Sequence, residues 1–172
     1  MNPKNYYVID SSSLIHLNRH YPIEVFPGVW RNLEVLVRSG LLVSPKKVLE
    51  EISRMDDSLK RWAHKNSGMF KDLDEKQIKI AMDILKRYPS LAKPDSETAV
   101  ADPFIIALAI QKESDKKGTL FPEMRKNIVV TEEKLKGNQV RIPFVCREYG
   151  IECIELLEMF RKEGWKFSAE KQ

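Results

Sequence analysis

Cysteine is scarce in this chain, and so is glycine. Two cysteines, Cys146 and Cys153, in 172 residues define no disulfide framework, which excludes the small stapled secreted scaffolds and fits a reducing, cytoplasmic setting. Seven glycines and nine prolines without a short period exclude collagen-like and low-complexity chains. No Gly-rich phosphate loop occurs. The apolar stretch Tyr6-Tyr7-Val8-Ile9 stops at Asp10, far short of the roughly 18 residues that a membrane span needs, and no other segment comes close to it. Charge of neither sign dominates: 29 Lys and Arg stand against 25 Asp and Glu, a net +4 that leans only slightly toward a polyanionic partner. There is no internal repeat and no linker long enough to separate two domains.

What is present is 42% apolar residues, enough for one α/β domain spanning 1–172 with a sizeable core. Tyr6 to Ile9 reads as a buried strand, and Asp10-Ser11-Ser12-Ser13 can cap a helix from about Ser12 to Arg19. Val29, Leu33, Leu36 and Val37 recur at helical spacing up to Gly40, a natural stop. Leu41 to Val43 is a second strand. Ser44 then reads as an N-cap with Pro45 at the first helical position, and Val48, Leu49, Ile52 and Met55 form the buried stripe. Another helix starts at Asp56-Asp57 and carries Leu59, Trp62 and Ala63, with Trp62 in phase with the core. Ile78, Ala81, Met82, Leu85 and Tyr88 predict an amphipathic helix that ends at Pro89. Ile105 to Ile110 reads as a buried helix, 114–127 as a loop, and Ile128 to Val130 as a third strand. Ile142 to Tyr149 is a helix stopped by Gly150, Ile151 to Ile154 a fourth strand, and Glu155 to Glu163 a closing helix. Strands alternating with helices predict a mostly parallel sheet covered on both faces.

In such sheets ligands sit beyond the carboxyl ends of the strands, so the residues that follow each apolar run matter most. Asp10 follows the first run, and Thr131-Glu132-Glu133 follows the third. Glu50-Glu51 lies one helix beyond the second, and Asp102 opens the apolar helix. Each acid also has a plain structural explanation: Asp10 and Asp102 suit helix caps, and the glutamates suit solvated surface. At about 100° per residue, Glu51 falls about 90° from the centre of the buried stripe and Glu50 about 170°. Glu51 therefore borders the core while Glu50 faces water.

Other constellations are weaker. His16 and His20 have the i, i+4 spacing of a zinc pair but lack the glutamate of a metalloprotease between them. Asp10-Ser11-Ser12 lacks the second Asp of an aspartyl-phosphate phosphatase. Both cysteines sit beside apolar residues and read as small hydrophobes. Arg54, Lys60, Arg61, Lys65, Lys76, Lys79 and Lys86 offer basic faces for a phosphate backbone, or simply solvated helix surface.

Taken together, Val8-Ile9-Asp10-Ser11-Ser12, Leu49-Glu50-Glu51-Ile52, Ala101-Asp102-Pro103-Phe104 and Val130-Thr131-Glu132-Glu133 resemble, in order, the motifs of the PIN-domain nucleases. Asp56 to Trp62, Arg141 to Cys146 and Gly150 to Cys153 resemble an uncharacterised prokaryotic branch near the VapC-type toxins. The resemblance spans about Tyr6 to Phe167. It implies a three-layer α/β/α sandwich with a parallel sheet of four or five strands, and metal-dependent cleavage of RNA or sometimes DNA. Carried onto this sequence, it implies Asp10, Glu51, Asp102 and Glu133 as acidic ligands of Mg²⁺ or Mn²⁺, with Ser12 and Thr131 as polar helpers. Because Glu132 adjoins Glu133, either can be the fourth ligand. The implied partners are an RNA substrate and an antitoxin protein. A second copy of the chain is a further expected partner, Arg54, Lys60, Arg61, Lys76 and Lys79 are the expected substrate contacts from the basic faces, and 56–98 is expected as a helical insertion that can clip the substrate. The competing expectation is a PIN-like scaffold that binds RNA or protein without catalysis.

Overall fold

Strands form where β-branched and aromatic runs are buried on both sides, and the chain has several such runs. In the computed structural model, which describes residues 5–55, 58–92, 101–117 and 126–168, they assemble into one five-stranded sheet. The strands are β1 (Asn5–Ile9), β2 (Leu42–Pro45), β3 (Phe70–Lys71), β4 (Lys126–Val130) and β5 (Glu152–Ile154). Their order is β3-β2-β1-β4-β5, and every pairing is parallel. Tyr7, Val8 and Ile9 are all fully buried, as are Ile128, Val129 and Val130. Successive side chains in a strand point to opposite faces, so both faces of the sheet are covered.

The cover consists of α1 (Ser11–His20), α2 (Pro27–Arg38), α3 (Lys46–Ser53), α4 (Ser58–Lys65), α5 (Glu75–Arg87), α6 (Asp102–Lys117), α7 (Ile142–Glu148) and α8 (Leu156–Lys162). The result is a three-layer α/β/α sandwich in a single domain. Gly40 and Gly150, with φ of 66° and 69°, end α2 and α7 in the left-handed conformation that glycine adopts without cost.

From β1 the chain moves outward through β2 to β3, then returns to lay β4 on the other side of β1. The gap between the carboxyl ends of β1 and β4 is therefore the topological switch point of the sheet, where such folds bind ligands. The register pairs Ile9 with Val130, so Asp10 and Thr131 leave the sheet side by side.

Several expectations need correction. Strand β2 continues through Pro45, α3 begins only at Lys46, and Pro45 is its cap residue without a side-chain bond. Ser44 is fully buried, and its hydroxyl donates to the Ile9 carbonyl at 2.7 Å. Inside the core the hydroxyl and the carbonyl satisfy one another, since either left alone there would be costly. Helix α6 runs on to Lys117, through residues expected as loop, because no breaker precedes Gly118. The apolar face of α5 is rotated: Gln77, Ala81 and Ile84 are buried, whereas Ile78 and Met82 stay 44% and 49% exposed. The chief neighbour of α5 is α6, which covers one stripe of a helix whose apolar residues spread wider than that. Segment 56–98 supplies the edge strand β3 as well as α4 and α5; Asp56, Asp57 and 93–98 lie outside the described residues. Trp62 is buried against Trp30, with ring centroids 5.1 Å apart. Cys146 is buried and Cys153 half-buried, both as free thiols. A hydrogen bond that the Cys146 thiol donates to Cys153, reinforced by burial, pushes that thiol well above its usual range.

At the opposite end of β1 a polar knot ties the sheet to the C-terminal segment. The buried Tyr7 hydroxyl donates to Glu163 Oε1 at 2.7 Å and accepts from Asn5 Nδ2 at 3.0 Å. Burial, and then the Glu163 carboxylate, push the phenol far above its ordinary pKa of 10.0. Above that pH the unfolded chain releases a proton that the folded chain retains, so folding stability is fully present below about pH 10 and falls as pH rises, by at most about 1.4 kcal/mol per pH unit for one group. Urea titrations at pH 8 and pH 11 should therefore show a steeper alkaline loss for the native protein than for Tyr7→Phe. Tyr7→Phe itself should cost about 1 kcal/mol at pH 8. Equal alkaline losses would remove Tyr7 as the cause.

Candidate functional site

Asp10 follows β1 directly and is 4% exposed, a burial that a carboxylate tolerates only with donors around it. Its Oδ1 accepts the Ser11 backbone N–H at 2.7 Å, capping α1, and its Oδ2 accepts from Ser12 Oγ at 2.7 Å and from Thr131 Oγ1 at 3.0 Å. Those two hydroxyls lie 3.1 Å apart. Each also accepts a backbone N–H from the turn after β4, Glu132 N to Ser12 Oγ at 3.1 Å and Glu133 N to Thr131 Oγ1 at 3.2 Å. The exits of β1 and β4 are thus laced together through one carboxylate. Capping and site-building are not alternatives at Asp10; its two oxygens do both.

The two glutamates after Thr131 diverge. Glu132 Oε1 accepts from the Leu156 N–H at 2.9 Å and from Ser13 Oγ at 3.3 Å, and its Oε2 lies 3.9 Å from His16 Nδ1. It caps α8, whose own cap residue Glu155 supplies no side-chain bond. Glu133 Oε2 instead accepts the Ile142 N–H at the start of α7, at 3.1 Å. Glu133 also lines a pocket of about 170 Å³ with Asp102, Arg141, Ser90, Leu91 and Val140.

Asp102 is the first residue of α6, not its cap: the Ile105 N–H bonds to the Ala101 carbonyl at 3.0 Å, so the first turn closes on Ala101. The Ala101 N–H in turn donates to Glu51 Oε1 at 3.2 Å. Glu51 is half-buried and Glu50 exposed, as their angular positions on α3 predict. Glu51 therefore anchors the entry to α6, one residue from the pocket carboxylate.

Asp102 and Glu133 thus share one pocket, Asp10, Ser12 and Thr131 share one hydrogen-bond network, and Glu133 touches both. Among the described residues, no three His, Cys, Asp or Glu side chains are grouped so as to hold a metal ion. A magnesium-type ion does not require that, because it binds through one or two carboxylates and completes its shell with water and substrate phosphate. An all-oxygen donor set of two carboxylates in an open pocket fits such a hard cation and not zinc. His16 and His20 stack on one another with centroids 4.2 Å apart, and His16 faces Glu132.

The expected basic contacts lie elsewhere. Arg54, Arg61, Lys76 and Lys79 are exposed and Lys60 is half-buried, and none of the five is among the described residues that line the pocket. Arg141, which does line it, was read from sequence only as part of a family-like stretch and not as a site residue, and Arg87, Tyr88, Phe144, Arg147 and Tyr149 were likewise not singled out for a site. The one signal for them was arginine recurring next to aromatic residues at the ends of two helices. No helix among the described residues is long and apolar enough to cross a membrane.

Residues 7–167 match the family described as a domain of unknown function, DUF4411, and the chain belongs to that family. No curated protein matches it.

Proposed function

For this member of the DUF4411 family we propose a metal-dependent endoribonuclease of PIN-like type, acting as the toxin of a toxin–antitoxin pair. The observation that carries the reading is the shared pocket of Asp102 and Glu133 beside the Asp10–Ser12–Thr131 network, at the switch point of a parallel sheet. Asp102 and Glu133 would hold Mg²⁺ or Mn²⁺, and the PIN resemblance adds Asp10 and Glu51 to the acidic set. Such an ion, when bound, lowers the pKa of a coordinated water and offsets charge on a scissile phosphate.

The chain's own residues do the remaining work. Asp10 holds Ser12 and Thr131 in place, and through them the amides of Glu132 and Glu133. Glu51 fixes Ala101 and so the position of Asp102. Arg141 forms no ion pair with an acid among the described residues and sits on the pocket wall, where it can receive a phosphate oxygen. The N-termini of α6 and α7 favour negative charge at the pocket, where Asp102 and Glu133 sit, and that of α1 does so at Asp10.

The separation of the four acids favours a second reading, a scaffold that binds RNA or protein without catalysis. Metal titration divides the two. On the nuclease reading, millimolar Mn²⁺ raises the melting temperature by several degrees, as binding at about 100-fold over Kd contributes near 2.7 kcal/mol, and Asp102→Asn loses most of that shift. An unchanged melting curve, with labelled RNA left intact, supports the scaffold.

A further inference from the structure

We infer that the pocket continues into a stacking platform for unpaired bases, built from Tyr88, Phe144 and Tyr149 with Arg87 and Arg147, so that the site takes single-stranded and not duplex nucleic acid. This rests on the nuclease reading for its ligand class, but its geometry stands separately. One pocket wall is Ser90 and Leu91, two and three residues after Tyr88; the other is Val140 and Arg141, four and three residues before Phe144. Tyr88 and Phe144 meet edge to face, with centroids 6.1 Å apart and planes at 84°, so the two segments that supply these walls also touch through their rings. All three aromatic residues are half-buried and packed against the core.

Cations are stacked around these rings. The Arg87 guanidinium carbon lies 5.5 Å from the Tyr88 centroid and 5.9 Å from that of Tyr149, and Arg147 lies 5.0 Å from the Phe144 centroid. Arg87 forms no ion pair with an acid among the described residues, while Arg147 meets Glu148 at 3.6 Å. Stacking of a base on an aromatic face is stronger than an exposed cation–π contact. An arriving base therefore displaces a guanidinium from its ring, and the freed guanidinium turns to the adjoining phosphate. A duplex cannot do this, because its bases are already stacked and paired.

The test is fluorescence anisotropy on the full-length protein in EDTA, with a labelled single-stranded oligoribonucleotide of about twelve residues and the same strand annealed to its complement. Tyr88→Leu and Phe144→Leu keep an apolar side chain against the core but remove the ring, and each should weaken single-strand binding about tenfold. Tyr88→Phe should bind like the native chain. Arg87→Gln and Arg147→Gln should each flatten the salt dependence by about 0.7 log units per log unit of salt. Leucine variants that melt normally and bind the single strand as tightly as the native chain overturn the inference, as does equal affinity for the duplex. Because no metal is present, this pattern without any cleavage in Mn²⁺ would sink the nuclease reading alone. Cleavage without the pattern would sink the platform alone.

Discussion

Asp10→Asn and Asp102→Asn are each expected to reduce metal-dependent cleavage of labelled RNA at least about 100-fold, since even residues one shell removed from a metal cost 10–100-fold. Both proteins should remain folded. In Asp10→Asn the amide oxygen still accepts the Ser11 N–H that Oδ1 accepts at 2.7 Å. The amide nitrogen then faces Ser12 Oγ and Thr131 Oγ1, and each hydroxyl has a second lone pair beyond the one receiving the Glu132 or Glu133 N–H. Both hydroxyl protons that Oδ2 accepted are left to find new acceptors, at a cost of about 1 kcal/mol each, or a melting shift of about 4–8 °C in a domain of this size. Asp102→Asn loses a favourable charge in the first turn of α6, roughly 0.3–1 kcal/mol. Asp10→Ala differs: it strips the Ser12 and Thr131 hydroxyls and the Ser11 N–H of their acceptor together, and should melt markedly lower. Cleavage rates and melting curves on the three proteins separate lost chemistry from lost structure. Native cleavage rates in either asparagine variant would exclude the acid as part of the site.

Much of the fold could be read from residue order, because its central strands are runs in which every side chain is buried. Tyr7-Val8-Ile9 and Ile128-Val129-Val130 are fully enclosed, and a continuous apolar run cut off by a polar residue has few other solutions. Strand β3 was not legible, since two residues, Phe70 and Lys71, carry no periodicity. The phase of α5 was not legible either. Ile78 and Met82 satisfy a helical pattern as well as Ile84 does, and only the position of α6 decides which stripe is covered. At the site, Asp10 and Thr131 stand out because they end apolar runs that are neighbours in the sheet. The gathering of Arg141, Tyr88 and Phe144 joins the end of α5 to the start of α7, more than fifty residues apart in sequence. No local rule encodes that meeting. Ser44 shows the limit in one residue: its hydroxyl suits a cap, and a buried carbonyl 35 residues away took it.

The choice between Glu132 and Glu133, open from sequence, becomes a pair of opposed outcomes. Glu132 holds two helices at once: its N–H meets Ser12 in α1, and its carboxylate meets Ser13 in α1 and caps α8 at Leu156. Glu132→Ala leaves the fully buried Ser13 hydroxyl without that acceptor and removes the cap of a helix that buries Leu156, Met159 and Phe160. Loss of a cap costs about 1 kcal/mol and an unsatisfied buried hydroxyl about 1–3 kcal/mol, so the expected total is about 2–4 kcal/mol. The melting temperature should fall by roughly 5–15 °C. Glu132→Gln keeps an acceptor at Oε1 and should recover most of that loss, which marks hydrogen bonding and not charge as the cause. Glu133→Ala removes only the bond to the Ile142 N–H and should cost about 1 kcal/mol, yet on the nuclease reading it removes one of two pocket carboxylates and at least a tenfold share of the cleavage rate. Glu133→Gln should be as inactive as Glu133→Ala, because an amide cannot replace a carboxylate beside a divalent cation. The opposite pattern, with activity following Glu132 and stability following Glu133, would reverse the two roles and move the cation from the pocket wall toward α8.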